Sequence, residues 1–236
     1  MGGIIEMLTA SPELYKGKFF TACSEIGTTG QSGPATCSTQ PPSGLKSILT
    51  LYNGASRTSG TGKNTIIIPL YVKVRVTAVG AAGTDSKFVV GIDTTDRSGA
   101  ATSLAATLSP KQTRAGTDSS GAVTPTTSKA TVYAGNITMS AATTTWRHMG
   151  TAYFRSATAS FVAGDQITIV FNDTMSINQM VPTTLVRPAH FSSNLPIVWL
   201  EPGTCMTVQQ VSVGQSGASF FDFQVAWCEI KNDSVA

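Results

Sequence analysis

A chain of 236 residues that is 41% hydrophobic and only 12% charged is too apolar to be disordered, and long enough to close a core without disulfides or metals. Its net charge of +3 comes from dispersed Lys and Arg, the densest pair being Lys73 and Arg75, so it lacks the clustered cations that displace counterions from nucleic acid. No run of about 18 apolar residues occurs, so no membrane-spanning helix is expected.

Residues 1–44 read as an extended N-terminal arm. The opening Met1-Gly2-Gly3-Ile4-Ile5-Glu6 lacks the charged region and apolar stretch of a signal peptide, and Glu6 stands where myristoylation needs Ser or Thr, so synthesis in the cytosol is expected. Ser11-Pro12-Glu13 offers an N-cap, a proline at the first helical position and an acidic first turn, which predicts a short helix over 11–15. Beyond about residue 24, Gly, Ser, Thr and Pro dominate up to Gln40-Pro41-Pro42-Ser43-Gly44. Glu6, Glu13 and Glu25 against Lys16 and Lys18 keep this segment close to neutral.

Residues 45–236 read as one β-sandwich. Of the whole chain, 34 residues are Thr and 25 are Ser, and the stiff branched Cβ of Thr suits a half-buried pleated surface. A strand is predicted over 45–52. Residues 66–78 alternate with Ile66, Ile68, Leu70, Val72, Val74, Val76 and Ala78 on one face and Tyr71, Lys73, Arg75 and Thr77 on the other. Pro69 has no donor, so its position is expected at an edge or a bulge. Phe88, Val90 and Ile92 continue the pattern, and 101–108 follows as a strand. Residues 109–130, nearly devoid of large side chains, read as a surface loop.

Strands are then predicted over 131–139, 151–161 and 167–171, and a long connection over 174–195 punctuated by Pro182 and Pro188. A short apolar strand over 196–200 leads into the turn Glu201-Pro202-Gly203, where Pro fixes φ and Gly accepts a positive one. The strands 205–213 and 219–230 close the chain, the latter alternating Phe221, Phe223, Val225 and Trp227 with Asp222, Gln224 and Ala226, which places it centrally. About nine strands with turns at short intervals, no internal repeat and no amphipathic helix give an all-β fold. The expected architecture is a two-sheet antiparallel sandwich of jelly-roll type.

No residue is assigned a catalytic, cofactor-binding or metal-binding role. Ser59-Gly60-Thr61-Gly62-Lys63-Asn64 has the look of a phosphate loop, but Arg57 and Asn64 stand where that motif needs Gly and Ser or Thr, and a strand follows instead of a helix. Asp93-Thr94-Thr95-Asp96, with Asp85 before it, lacks the spacing of a calcium loop and reads as a solvated turn. Asp165 and Asp173 bracket a strand and lie up to about 27 Å apart, too far for a glycosidase pair.

His148 and His190 read as loop or interface residues, and no Gly-x-Ser-x-Gly elbow occurs. Cys23 and Cys37 leave a loop-closing disulfide open, and Cys205 and Cys228, placed on neighbouring strands, read as buried free thiols. Sequons at Asn136, Asn172 and Asn232 carry little weight without a secretory signal. Trp146, Arg147 and Tyr153, with Phe154 beside them, concentrate aromatics and a guanidinium of the kind that anchors interfaces or stacks on sugars, and form the candidate interface or ligand contact.

The segments Leu49-Thr50-Leu51-Tyr52-Asn53-Gly54, Gly60-Thr61-Gly62-Lys63-Asn64 and Leu200-Glu201-Pro202-Gly203-Thr204, with the long alternating strand and the aromatic closing strand, carry a resemblance. Over about residues 45–230 the chain resembles jelly-roll structural proteins of tailed bacteriophage particles. The resemblance implies a non-enzymatic virion component assembled in the host cytoplasm, a capsid decoration or cement protein. It further implies a homo-oligomer, a trimer, with other virion proteins such as the major capsid protein as partners. It carries over no functional residue and no cofactor, and it names neither nucleic acid nor membrane as a direct partner. A surface of Thr, Ser and Ala agrees, because permanent contacts over it desolvate few charges. The competing expectation is a trimeric jelly-roll receptor- or carbohydrate-binding module of a head or tail fibre, of tumour-necrosis-factor or C1q type, working through Trp146. An enzyme ranks third, for want of a carboxylate pair on facing strands.

Overall fold

A computed structural model describes residues 18–24, 30–37, 46–58, 64–81, 83–96, 105–112, 128–139, 145–153, 161–171 and 190–231. All regular structure among them is strand. In chain order these are β1 (Lys18–Cys23), β2 (Gln31–Ser32), β3 (Lys46–Asn53), β4 (Thr65–Ala78), β5 (Thr84–Asp93), β6 (Ala105–Leu108) and β7 (Lys111–Gln112). They continue with β8 (Ala130–Thr138), β9 (Arg147–Tyr153), β10 (Gln166–Phe171), β11 (His190–Leu195), β12 (Cys205–Val213) and β13 (Phe220–Lys231). Two sheets result, one ordered β11-β10-β4-β13-β1-β7 with β2 also on β13, the other β6-β8-β3-β12-β5-β9.

The pairings are nested. β1 pairs with β13, β3 with β12, β4 with β10 and β5 with β9, all antiparallel. The first and third pairs lie in one sheet, the second and fourth in the other, and β4·β13 and β5·β12 join them. The core lies between the two sheets. β13 supplies Phe221, Phe223, Val225 and Trp227 to it, as its alternation predicts. Phe221 takes Phe88 of the facing sheet edge-on at 5.8 Å and 74°, a favoured aromatic geometry. At one side of the sandwich, Leu195 of β11 packs onto Gly150 of β9 and so draws the two sheet edges together.

The bulge expected near Pro69 is present. Tyr71 pairs with Ala226 and Pro69 with Trp227, leaving Leu70 as the extra residue. β10 pairs with Tyr71 through Arg75 and stops short of Pro69. An extra residue also reverses the side-chain alternation. Val72, Val74 and Val76 face the core on one side of the bulge, but Ile67, not Ile66 or Ile68, faces it on the other.

Several boundaries differ from the sequence reading. β1 and β2 fall inside the segment expected as an arm. β1 pairs with β13 from Lys18↔Glu229 to Cys23↔Gln224, and Phe20 is buried in a stack on Trp227 at 5.9 Å. Burying one phenylalanine stabilises by about 1.5–3 kcal/mol, reason enough for a short Phe-bearing strand to join the sheet. The predicted helix over 11–15 lies outside the described residues. β11 occupies the end of the predicted connection, and its pairing with β10 is parallel, so the sandwich is not wholly antiparallel. Residues 196–200 form no strand beyond one bridge, Ile67↔Leu200. Their alternation serves a crossing segment that buries Val198 and Leu200 and turns Trp199 outward. The turn that follows is the predicted one, closed by Thr204 N–H donating to the Glu201 carbonyl at 3.0 Å, with Gly203 at φ 83°. The surface loop expected over 109–130 holds β7, and 113–127 lie outside the described residues.

Candidate functional site

In β5 the side chains of Phe88 and Val90 enter the core, so Lys87, Val89 and Gly91 point away from it. β9 lies beside β5 with Lys87↔Tyr153, Val89↔Thr151 and Gly91↔His148 opposed, which puts Tyr153, Thr151 and His148 on that outer face. The same alternation continues across the sheet. Tyr133, Thr50, Thr207, Gly91 and His148 form one continuous row over β8, β3, β12, β5 and β9. Thr50 and Thr207 are fully buried beneath their larger neighbours, while Tyr52, Tyr133 and Trp146 are half-buried. Burial pushes the Tyr52 hydroxyl up from its ordinary value, with further contributions from Asp96, Cys205 and Tyr133.

Trp146 immediately precedes β9, and its indole rests on the backbone of Gly91. A Cβ at Gly91 would come within 2.2 Å of Cε2 and Cζ2, so only glycine leaves room for the ring. The indole Nε1 donates to Thr207 Oγ1 at 3.4 Å, and Thr207 Oγ1 in turn donates to the Gly91 carbonyl at 3.4 Å. The His148 ring lies parallel to the indole within 7°, its centroid 6.1 Å away, and its Nε2 is 3.1 Å from Thr151 Oγ1.

Asp93 positions this corner. It was expected in a solvated turn, yet it is 3% exposed. Its Oδ1 accepts from Thr95 N and Thr95 Oγ1 at 3.2 Å and from Thr145 Oγ1 at 2.7 Å. The carboxylate thereby ties the turn after β5 to the residue before Trp146 and fixes where β9 begins.

The three residues singled out in the sequence do not form one cluster. Trp146 and the exposed Arg147 share one end of β9. Tyr153, half exposed, stands at the other, about 20 Å along the strand, with Lys87 Nζ 5.7 Å from its ring centroid. Phe154, the loop 59–63, Asp173, Asn172 and Asn232 lie outside the described residues. Asp165 is buried and closes the turn before β10, its Oδ2 accepting from Val162 N at 2.7 Å. His190 opens β11 and Asn136 lies in β8.

All four cysteines are free thiols. Cys205 and Cys228 are both buried but sit in different sheets, not on neighbouring strands, because β12 and β13 are consecutive strands that cross the sandwich. Cys205 Sγ donates to the Thr95 carbonyl at 3.2 Å. Burial pushes the Cys37 thiol up to about 12 and the Cys228 thiol up to about 11.

Three residues escaped the sequence reading. Glu229 is buried and accepts from Ser128 Oγ, from Lys129 N at 2.9 Å and from Trp227 Nε1 at 3.1 Å, so it pins the start of β8 to the opposite sheet. Its one signal was a lone carboxylate inside the apolar run Trp227-Cys228-Glu229-Ile230. Asn53 is fully buried, and its Nδ2 donates to the carbonyls of Thr65 and Leu200, each at 2.8 Å. Trp199 is 53% exposed on the crossing segment before β12. No protein-family model, no curated protein and no solved structure matches the chain.

Proposed function

We propose that the chain is a non-enzymatic structural protein of a bacteriophage particle, with a jelly-roll fold, that holds neighbouring subunits together as a decoration or cement protein. The observation that carries this reading is the nesting of β1·β13, β3·β12, β4·β10 and β5·β9. A jelly roll is a long antiparallel ribbon of four such pairs wrapped into two sheets, an architecture recurrent in capsid proteins and lectins. The weakly charged, Thr- and Ser-rich composition supports it, since extended contacts between subunits then bury few ions. In this reading the protein is a homotrimer that docks on the major shell protein, and residues 1–17 contribute to that docking.

Light scattering on the full-length protein tests the assembly, and co-sedimentation with particles lacking the chain tests the docking. A mass of three times the 24.6 kDa chain, together with co-sedimentation, is expected. Removing residues 1–17, which leaves β1 in place, is expected to abolish co-sedimentation and not folding. A monomer that stays in the supernatant overturns the reading.

A further inference from the structure

We propose that the outer face of the β6-β8-β3-β12-β5-β9 sheet carries a saccharide-binding site centred on Trp146, a role that goes beyond particle assembly. The position of this indole is the first reason. The core of the sandwich already holds a fully buried tryptophan, Trp227, whereas Trp146 lies on the opposite side of its sheet and is only half-buried. It is nonetheless fixed. Gly91 leaves a seat that any Cβ would fill, Thr207 accepts from Nε1, and Asp93 holds Thr145 just before it. A ring held this firmly at a surface is pre-organised to stack without losing side-chain freedom on binding.

The surroundings are the second reason. A pyranose presents a face of C–H groups that packs on an aromatic ring and a rim of hydroxyls that both donate and accept. Beside Trp146 lie the parallel imidazole of His148 and the Thr151 hydroxyl, and across the row lies Tyr133, side chains that supply ring surface and two-way hydrogen bonding. Arg147 is exposed but stands opposite Ile92, which packs against the core, so it turns to the other face of the sheet and leaves the site to Trp146, His148 and Thr151.

A second copy of the chain fits this face less well. A contact with a second copy at this point would need a large apolar anchor beside the indole. Among the described residues the large hydrophobic side chains that are exposed are Tyr153, Trp199 and Val213; Tyr153 stands at the far end of β9 under Lys87, and the other two lie outside the row.

The test is an array of immobilised neutral and acidic oligosaccharides probed with the full-length protein, followed by calorimetry on the glycans bound. The native chain is expected to bind at least one pyranose class. Trp146→Ala should weaken that binding by roughly tenfold or more, with an unchanged far-ultraviolet spectrum. His148→Ala, which removes an exposed ring lying parallel to the indole, should weaken it several-fold. Trp199→Ala should leave it unchanged. The proposal is overturned if no glycan binds, if binding survives both Trp146→Ala and His148→Ala, or if Trp146→Ala instead splits an oligomer into monomers. A chain that sits on particles yet binds no glycan keeps its structural role and loses this one.

Discussion

Phe20→Ala asks whether β1 belongs to the sandwich or to a detachable arm. Phe20 is 1% exposed and stacks on Trp227 at 5.9 Å and 17°. Its neighbour Phe19 is half-buried and, by alternation, on the opposite face. Truncating a buried phenylalanine costs about 3–5 kcal/mol, transfer and cavity together. In a chain of this size each kcal/mol moves the melting temperature by about 2–4 °C, so Phe20→Ala should melt about 6–20 °C lower. Phe19→Ala should cost about 1 kcal/mol and a few degrees. The assay is calorimetric or circular-dichroism melting of both variants at one fixed protein concentration, because assembly would itself shift the midpoint. If the two variants melt alike, close to the native protein, β1 is not part of the cooperative sheet and the reasoning fails.

Three further outcomes are expected. Asn53→Ala strips a donor from the Thr65 and Leu200 carbonyls and should cost about 2–3 kcal/mol in urea unfolding; Asn53→Asp should cost more, because a carboxylate would face two carbonyl oxygens. Glu229→Gln keeps one oxygen for Ser128, Ala130 and Trp227 but puts an NH2 group where Oε2 accepts from Lys129 N at 3.1 Å, and it removes the charge from these bonds, so it should cost about 1–3 kcal/mol and speed amide hydrogen exchange at Lys129. With the Cys37 and Cys228 thiols raised to about 12 and about 11, both stay protonated at about pH 8, and iodoacetamide should label the exposed Cys23 well before them. Equal labelling of all four in the native protein would contradict that burial.

The strands most legible in the sequence were long apolar runs bounded by turn residues. β4, β12 and β13 run 14, 9 and 12 residues, and their predicted ranges stand within a residue of the observed ones. β1 offers only six residues beside a Gly- and Ser-rich stretch, and its partner β13 lies some two hundred positions away, so nothing local announces it. β11 reads His-Phe-Ser-Ser-Asn-Leu and has no apolar alternation to detect, as suits a strand at the sheet edge. Residues 196–200 misled in the opposite sense, since Val198 and Leu200 are buried without a ladder.

The candidate site divides in the same way. Trp146 and Arg147 stand out by residue type in a Thr-rich stretch. Gly91 and Thr207, which seat the indole, are invisible beforehand because only the register between β12, β5 and β9 brings them to it. Asp93 was read as solvated because the sequence shows its turn and not the Thr145 hydroxyl that closes over it.

The central claim, a structural protein of a virus particle, is tested most directly by counting the chain in purified particles with quantitative mass spectrometry against the major shell protein. A fixed stoichiometry in multiples of three, retained through gradient purification and washing, is the expected result. A chain found only in the soluble fraction, or in particles at trace and variable copy number, would contradict it.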